Sequence, residues 1–266
     1  MDFKRILLFG YGTMASAMLE GWLASGLEPT RFTIYNPRPK PVPAGVAFTS
    51  DLPPGSFDAL VLGVKPQKLG EVASEVEPLA GPETVLISIL AGVDLTTLAG
   101  RFPRAGGIAR LMPNLAVAIR QSPNVLMAQG MDQSQREALT DLAARLGSAE
   151  WLEDEAQIDL IAALTASGPG FVYRFMDALA AGARELGLDP ALARRLAVQT
   201  VAGAAALASS SPQSPAELAR RVASPGGMTQ KGLDVLDDNG ALERLITLCL
   251  AAARDRAGEL AAAARD

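Results

Sequence analysis

Histidine is absent from all 266 residues, and that one absence removes a large share of enzyme chemistry. Without imidazole there is no His-based triad, no ordinary zinc site and no side chain that changes charge near neutral pH when unperturbed. Cysteine is nearly as scarce. Cys249 stands alone, which excludes an internal disulfide and suits a reducing compartment; it reads as a small apolar residue on a helix. Long hydrophobic runs are missing too, since glycine or charge breaks each one before it could span a bilayer. The opening Met1-Asp2-Phe3-Lys4-Arg5 runs straight into an apolar segment ending at Gly10, with no secretion-type cleavage site, so a cytoplasmic protein is expected. Basic residues are scattered and the net charge is −5, which leaves no nucleic-acid footprint. No metal site is expected. The chemistry must run on a cofactor, on the backbone, or on Ser, Thr, Tyr, Lys and carboxylates.

Hydrophobic residues make up 49% of the chain, enough for two modest cores, and no stretch is polar enough to be disordered. In the first half, Ile6–Phe9, Phe32–Tyr35, Ala59–Val64, Val85–Leu90 and Ile108–Met112 read as buried strands bounded by Gly, Pro or polar residues. Helical patterns at Thr13–Ser25 and Gln67–Val76 lie between them, and such alternation implies a mostly parallel sheet covered on both faces. A strand at Asn124–Ala128, a helix from Asp132 with Gln135 at the capping-box position, and a short strand near Glu150–Leu152 complete this half. After residue 153 strand signals cease. Asp189-Pro190 and Ser214-Pro215-Ala216-Glu217 are helix starts, and five or six helices are expected, with long ones at Phe171–Leu186, Pro190–Ala208 and Leu242–Ala264. Gly182 and Gly203 would permit close helix approach, and apolar character on more than one face points to use in dimerisation. The expectation is an α/β chain: residues 1–153 form an NADP-binding Rossmann-type domain, and residues 154–266 an all-α substrate and dimerisation domain.

The cofactor reading rests on Gly10-Tyr11-Gly12-Thr13-Met14-Ala15, a GxGxxA turn directly after the first strand. Gly10 allows the tight turn, Gly12 lets the backbone approach a pyrophosphate, and Ala15 lets the helix sit close to the sheet. The helix N-terminus then offers free N–H groups and partial positive charge. At the end of the second strand, NAD enzymes usually place a carboxylate. This chain has Asn36 and Arg38, with Lys40 beyond, which suits a 2′-phosphate and favours NADP over NAD. Val64-Lys65-Pro66 and the turn containing Ala91 should border the same cofactor, because ligands collect outside the carboxyl ends of the strands.

Two further segments suit a small anion. Arg110-Leu111-Met112-Pro113-Asn114 ends the last core strand, facing the same crevice, so Met112 and Asn114 are expected to border the cofactor and Asn114 the substrate as well. Ser224-Pro225-Gly226-Gly227-Met228-Thr229 lies in the helical half, where Ser224 would N-cap a helix starting near Pro225 or Gly226. Uncovered first-turn N–H groups there make a cradle for a carboxylate, and Thr229 adds a hydroxyl one turn in. Glu153, Asp154, Glu155, Asp237 and Asp238 read instead as solvated helix-start charges and chain-turn residues.

The GxGxMA turn, Val64-Lys65-Pro66-Gln67, Arg110–Asn114, Ser167-Gly168-Pro169 and Ser224–Thr229, in that order, resemble the pyrroline-5-carboxylate reductase family over nearly the whole chain. The resemblance implies a Rossmann domain, a helical domain that dimerises by interlocking helices, and NADPH-dependent reduction of a cyclic imine carboxylate to proline. It also implies that N–H groups around Gly227 and Met228, with Thr229, bind substrate, beside Ser224, Gly226 and Asn114. As the catalytic residue, Thr229 is expected to orient the ring nitrogen or relay a proton from water. Leu115-Ala116, Met228 and Gly170 depart from the family's usual residues. Competing readings are a hydroxyacid or general imine reductase on the same plan, and an NADP-sensing protein without turnover. The hydroxyacid enzymes need a lysine in the helix after Pro169, and Phe171–Asp177 has none.

Overall fold

The structure is a computed structural model describing residues 2–265. It divides into two compact units, Met1–Ala166 with Ala253–Asp266, and Ser167–Ala252. In the first unit the chain runs β1 (Ile6–Phe9), α1 (Thr13–Ala24), β2 (Phe32–Tyr35), β3 (Ala47–Thr49), β4 (Ala59–Leu62), α2 (Leu69–Val76) and β5 (Val85–Ser88). It continues through α3 (Leu95–Arg101), β6 (Gly107–Met112), β7 (Ser122–Gln129), α4 (Gln133–Ala144), β8 (Gly147–Trp151) and α5 (Ile158–Thr165). The eight strands form one sheet in the order β3-β2-β1-β4-β5-β6-β7-β8, parallel throughout except between β6 and β7.

Strands β1, β4, β5 and β6 are buried on both faces, which is why they read as continuous apolar runs. Alternate residues serve opposite cores. Ile6, Leu8, Val61 and Ile87 pack with Met18, Leu19 and Trp22 of α1 and Leu139 and Leu142 of α4. Leu7, Phe9, Leu60 and Leu62 pack with Leu69 and Val76 of α2, Leu98 of α3 and Ile158 of α5. Trp22 ties three elements together: its ring stacks on Phe32 at 5.5 Å and its indole N–H donates to the Leu142 carbonyl at 2.9 Å. The chain leaves β1 toward β2 and β3, then returns to β4 on the other side of β1. That reversal opens a crevice at the carboxyl ends of β1 and β4.

Strands expected to reach Val64 and Leu90 stop at Leu62 and Ser88, where the chain turns away at Gly63 and Ile89; the first of these turns borders that crevice. Strand β3 was not anticipated; three residues on a sheet edge carry no readable alternation. The Gln67–Val76 pattern is a 3-10 turn (Pro66–Lys68) leading into α2.

The second unit holds α6 (Gly168–Glu185), α7 (Pro190–Ser210), α8 (Pro215–Val222), α9 (Met228–Asp237) and the start of α10 (Ala241–Arg265). With α5 these make six helices after residue 153 among the described residues. Their starts follow the capping chemistry of the sequence. Asp189 accepts from the Leu192 N–H at 2.9 Å, and Ser214 with Glu217 completes a capping box as Asp132 and Gln135 do before α4. Gly182 and Gly203 lie in open space within this chain, so they bring no two of its helices together. Only Ala193 and Ala197 are buried apolar residues of this unit, while Tyr173, Leu186, Val235 and Leu248 are exposed.

Candidate dinucleotide and anion sites

The glycine turn sits where β1 ends at the topological reversal. Gly10 has φ +94°, and a β-carbon there would lie 3.0 Å from the carbonyl carbon and oxygen of Gly63. Two backbones therefore touch at this point, and neither position accepts a side chain without displacing the other. Sequence reasoning put Gly63 at the end of the Ala59–Val64 strand that should border the cofactor, without seeing its close approach to Gly10. Gly12 differs. It N-caps α1 with ordinary extended backbone, and only the Gly63 carbonyl lies as near as 4.0 Å to its missing β-carbon. The fold alone does not require glycine there; a ligand lying against the backbone would. No side chain caps α1, so the first-turn N–H groups of Thr13, Met14 and Ala15 face the crevice without intrahelical acceptors. Ala15 is buried against the sheet.

A cavity of about 530 Å³ opens over this turn, bordered by Gly10–Gly12, Tyr35–Arg38, Lys40, Gly63–Lys65 and the α2 face. The Asn36 amide oxygen accepts from the Tyr11 N–H at 3.2 Å, and the Asn36 amide donates to the Arg38 carbonyl at 2.6 Å. Lys40 donates to the Tyr11 carbonyl at 2.5 Å. The loop after β2 thus holds the glycine turn through both backbone polar groups of Tyr11. Burial first, and the charge of Glu20 second, raise the Tyr11 phenol above its ordinary value. Burial and then Glu75 do the same for Tyr35, whose hydroxyl donates to that carboxylate at 3.2 Å. Both phenols stay protonated donors. The residues fit a dinucleotide phosphate: open backbone at Gly12, free helix N–H groups, and Arg38 with no carboxylate partner among the described residues.

Val64 and Lys65 border this cavity, while Pro66 opens the 3-10 turn beyond it. Ala91 is exposed in the turn after β5, and Met112 is buried against the α3 and α5 side of the sheet. Asn114 is buried and largely committed: its amide oxygen accepts from the Ala116 N–H at 2.9 Å and its amide donates to the Thr165 carbonyl at 2.8 Å. One N–H and one lone pair of that amide remain for a ligand.

Glu155 is not the solvated charge that its sequence context suggests. Its carboxylate accepts from the buried Arg110 guanidinium at 2.6 Å and from the Leu95 N–H at 3.1 Å. Asp154, beside it, caps a 3-10 turn through the Ala156 N–H. Arg110 therefore ties β6, through Glu155, to the start of α3 and to the turn before α5, and does not reach for an anion in this structure.

In the second unit, Ser224 does not cap a helix. Ser224-Pro225-Gly226-Gly227 forms a turn in which Gly227 N–H donates to the Ser224 carbonyl at 2.9 Å and Gly226 has φ +72°, the type II pattern with Pro then Gly. Gly227 is the N-cap of α9, three residues later than expected, and makes no side-chain cap bond. Its missing side chain leaves room for the Ser224 hydroxyl. The free N–H groups at this terminus are those of Met228, Thr229 and Gln230, since Gly227 spends its own in the turn and Lys231 N–H reaches the Gly227 carbonyl. Met228 and Thr229 are exposed.

The fold and the glycine turn define a class: a Rossmann-type dinucleotide-binding protein carrying a second, helical unit. A family model described as pyrroline-5-carboxylate reductase dimerisation matches residues 155–260. A pyrroline-5-carboxylate reductase of Pseudomonas aeruginosa is 35% identical, across 98% of this chain and 98% of its own length. The solved structure of a pyrroline-5-carboxylate reductase from Coxiella burnetii has a TM-score of 0.87 at 32% identity, covering 97% of this chain and 99% of that one. That of Plasmodium falciparum pyrroline carboxylate reductase, solved with NADP bound, shares the fold at TM-score 0.84 and 22% identity, covering 98% and 99%. The chain belongs to the pyrroline-5-carboxylate reductase family.

Proposed function

We propose that this protein reduces 1-pyrroline-5-carboxylate to proline with NADPH, as a homodimer joined through its C-terminal helices. The observation that carries the reading is a shared peculiarity of two distant helices. Helices α1 and α9 both start on a glycine N-cap with no side-chain cap. Helices α3, α4, α7 and α8 are instead capped by Asp94, Asp132, Asp189 and Ser214, and α2, α5 and α6, which also lack a side-chain cap bond, start on Lys68, Gln157 and Ser167 rather than on glycine. A capping side chain would occupy the place that an anion needs. One uncapped terminus suits a pyrophosphate and the other a carboxylate. Family membership over nearly the full chain supplies the substrate class. The functional division we favour, 1–153 for cofactor and 154–266 for substrate and dimerisation, is supported by the family match beginning at 155.

When bound, NADPH supplies the hydride that is delivered to the imine carbon. The protein's own part is to hold, orient and exclude. Gly10 and Gly12 keep the turn thin, and the N–H groups of Thr13, Met14 and Ala15 take the pyrophosphate. The N–H groups of Met228, Thr229 and Gln230 take the substrate carboxylate. The Thr229 hydroxyl accepts from the protonated ring nitrogen and fixes its orientation. A protonated imine needs no strong acid, which suits a chain without histidine.

The test is an NADPH oxidation assay with pyrroline-5-carboxylate, repeated with NADH and with an analogue lacking the carboxyl group. Turnover is expected with the first, weakly with the second, and not with the third. Thr229→Ala should lower kcat roughly a hundredfold, with Thr229→Ser recovering most of it. Unchanged kinetics in the alanine variant would remove Thr229 from the reaction.

A further inference from the structure

Among the described residues, Arg110 is the one charged side chain that is fully buried, at 3% exposure. Its Nη1 donates to Glu155, and its Nε has no hydrogen-bond partner. A buried ion pair is a poor source of stability, because desolvating two charges costs about as much as their attraction contributes. A spare buried donor adds to that cost. The pair is accounted for by what it holds in place.

Glu155 opens a 3-10 turn, Glu155–Gln157, that runs without a break into α5, whose last residue is Thr165. Arg110 thus fixes the start of this helical rod. The far end is fixed as well. The Thr165 carbonyl has no donor four residues on, because Pro169 stands there without an N–H. It accepts instead from the Asn114 side-chain amide at 2.8 Å. Arg110 and Asn114 belong to one extended segment, β6 and its exit. From Arg110 to Asn114 that segment spans about 13 Å, and from Glu155 to Thr165 the rod spans about 15 Å. The two match in length and are tied side by side at both ends.

Asn114 is held at every other point too. Its own N–H donates to Ser122 Oγ at 3.0 Å, and its side-chain oxygen accepts from the Ala116 N–H at 2.9 Å. A carboxamide is planar, so the bond to Thr165 decides where its remaining N–H and lone pair point.

We propose that the Arg110–Glu155 pair is a positioning device for Asn114. The pair sets the lie of α5, α5 sets the Thr165 carbonyl, and that carbonyl aims the free N–H of Asn114 at the substrate. The last step rests on the reductase reading above, in which Asn114 borders the substrate; the mechanical steps do not. Arg110 and Glu155 are positioning residues and act through Asn114.

The experiment compares two variants. Glu155→Gln breaks the pair and leaves a buried charge, whereas Arg110→Met/Glu155→Leu breaks it and leaves none. The single variant should lose thermal stability, and the double should melt near the wild type, since apolar side chains replace a buried pair at little cost. In the NADPH assay both should raise KM for pyrroline-5-carboxylate roughly fivefold to tenfold with kcat within about threefold, the split expected when substrate binding is loosened. A double variant that melts near the wild type and keeps its KM would make the pair merely structural and overturn the proposal. A loss confined to kcat would overturn it as well.

A second readout needs no turnover. The chain has four asparagines, so isotopic labelling of asparagine alone gives four side-chain amide signals in nuclear magnetic resonance. The signal lost in Asn114→Ala is that of Asn114. Both pair variants should move it and leave those of Asn36 and Asn239 in place. An unmoved Asn114 signal would overturn the proposal whatever the kinetics. A moved signal in a protein that does not reduce pyrroline-5-carboxylate would remove the functional reading and leave the mechanical steps standing.

Discussion

The two units use similar amounts of apolar sequence in opposite ways. The sheet unit places Leu8, Trp22, Phe32, Leu60 and Leu62 in full burial on the two faces of one sheet. The helical unit buries Ala193 and Ala197 and leaves Tyr173, Leu186, Leu245 and Val235 at 66%, 92%, 59% and 73% exposure. A helix pair cannot surround its own apolar side chains as two helix layers surround a sheet, so an isolated copy exposes what a neighbour would cover. The first unit is a domain in the usual thermodynamic sense. We read the second as half of one, completed by another copy of the chain, in keeping with its match to a dimerisation family.

The sharpest way to break this contrast is to charge the exposed helical face. Val235→Glu with Leu245→Glu should reduce the protein to single chains in sedimentation equilibrium, weakening self-association at least about a hundredfold, because each buried unpaired carboxylate costs several kcal/mol. Catalysis should fall with assembly while dinucleotide binding by the sheet unit persists. A variant that stays assembled and active would show that this face is not the contact.

Truncation of a single large side chain in each unit gives the next largest effect. Trp22→Ala removes a fully buried ring, its stacking on Phe32 and its bond to Leu142, and should cost about 3–5 kcal/mol in urea denaturation. Leu186→Ala, at 92% exposure, should change stability by less than about 0.5 kcal/mol. A large loss at Leu186 would mean that assembly covers it, which the concentration dependence of the transition would reveal.

The same division governs how much could be read from sequence. Buried parallel strands such as Ile6–Phe9 and Ala59–Leu62 declare themselves because both faces demand apolar residues. Helix starts at Asp132, Asp189 and Ser214 declare themselves because capping is local chemistry. What escaped was non-local or ambiguous. Glu155 looked solvated because its partners, Arg110 and Leu95, lie 45 and 60 residues away in sequence. The packing role of Gly63 escaped because it exists only against Gly10, at the end of a neighbouring strand. Ser224-Pro225 carries the signal of a helix start, yet the following pair of glycines allows a type II turn instead, which moves the α9 terminus to Gly227. The helix start was legible as a composition and misplaced by three residues.

The smallest expected effect compares one capping box from each unit under acid. The Asp132 carboxylate lies below its ordinary value, first because the Gln135 N–H donates to it and then because Ser134 does. Glu217 is likewise lowered, first by the Ser214 N–H and then by the Ser214 hydroxyl. A carboxylate with a depressed native value adds stability that is complete above its unfolded value, near pH 4, and is lost as pH falls through the depressed one. Asp132→Asn and Glu217→Gln keep an acceptor for the cap but cannot titrate. The stability difference between wild type and each variant should therefore be flat from pH 7 to about 5 and shrink below about pH 4. For Asp132 this should hold at any protein concentration, since its unit carries its own core. For Glu217 the acid limb should shift with concentration, because there the loss of the cap is coupled to loss of the partner. Concentration-independent behaviour at Glu217 would show that the helical unit folds alone.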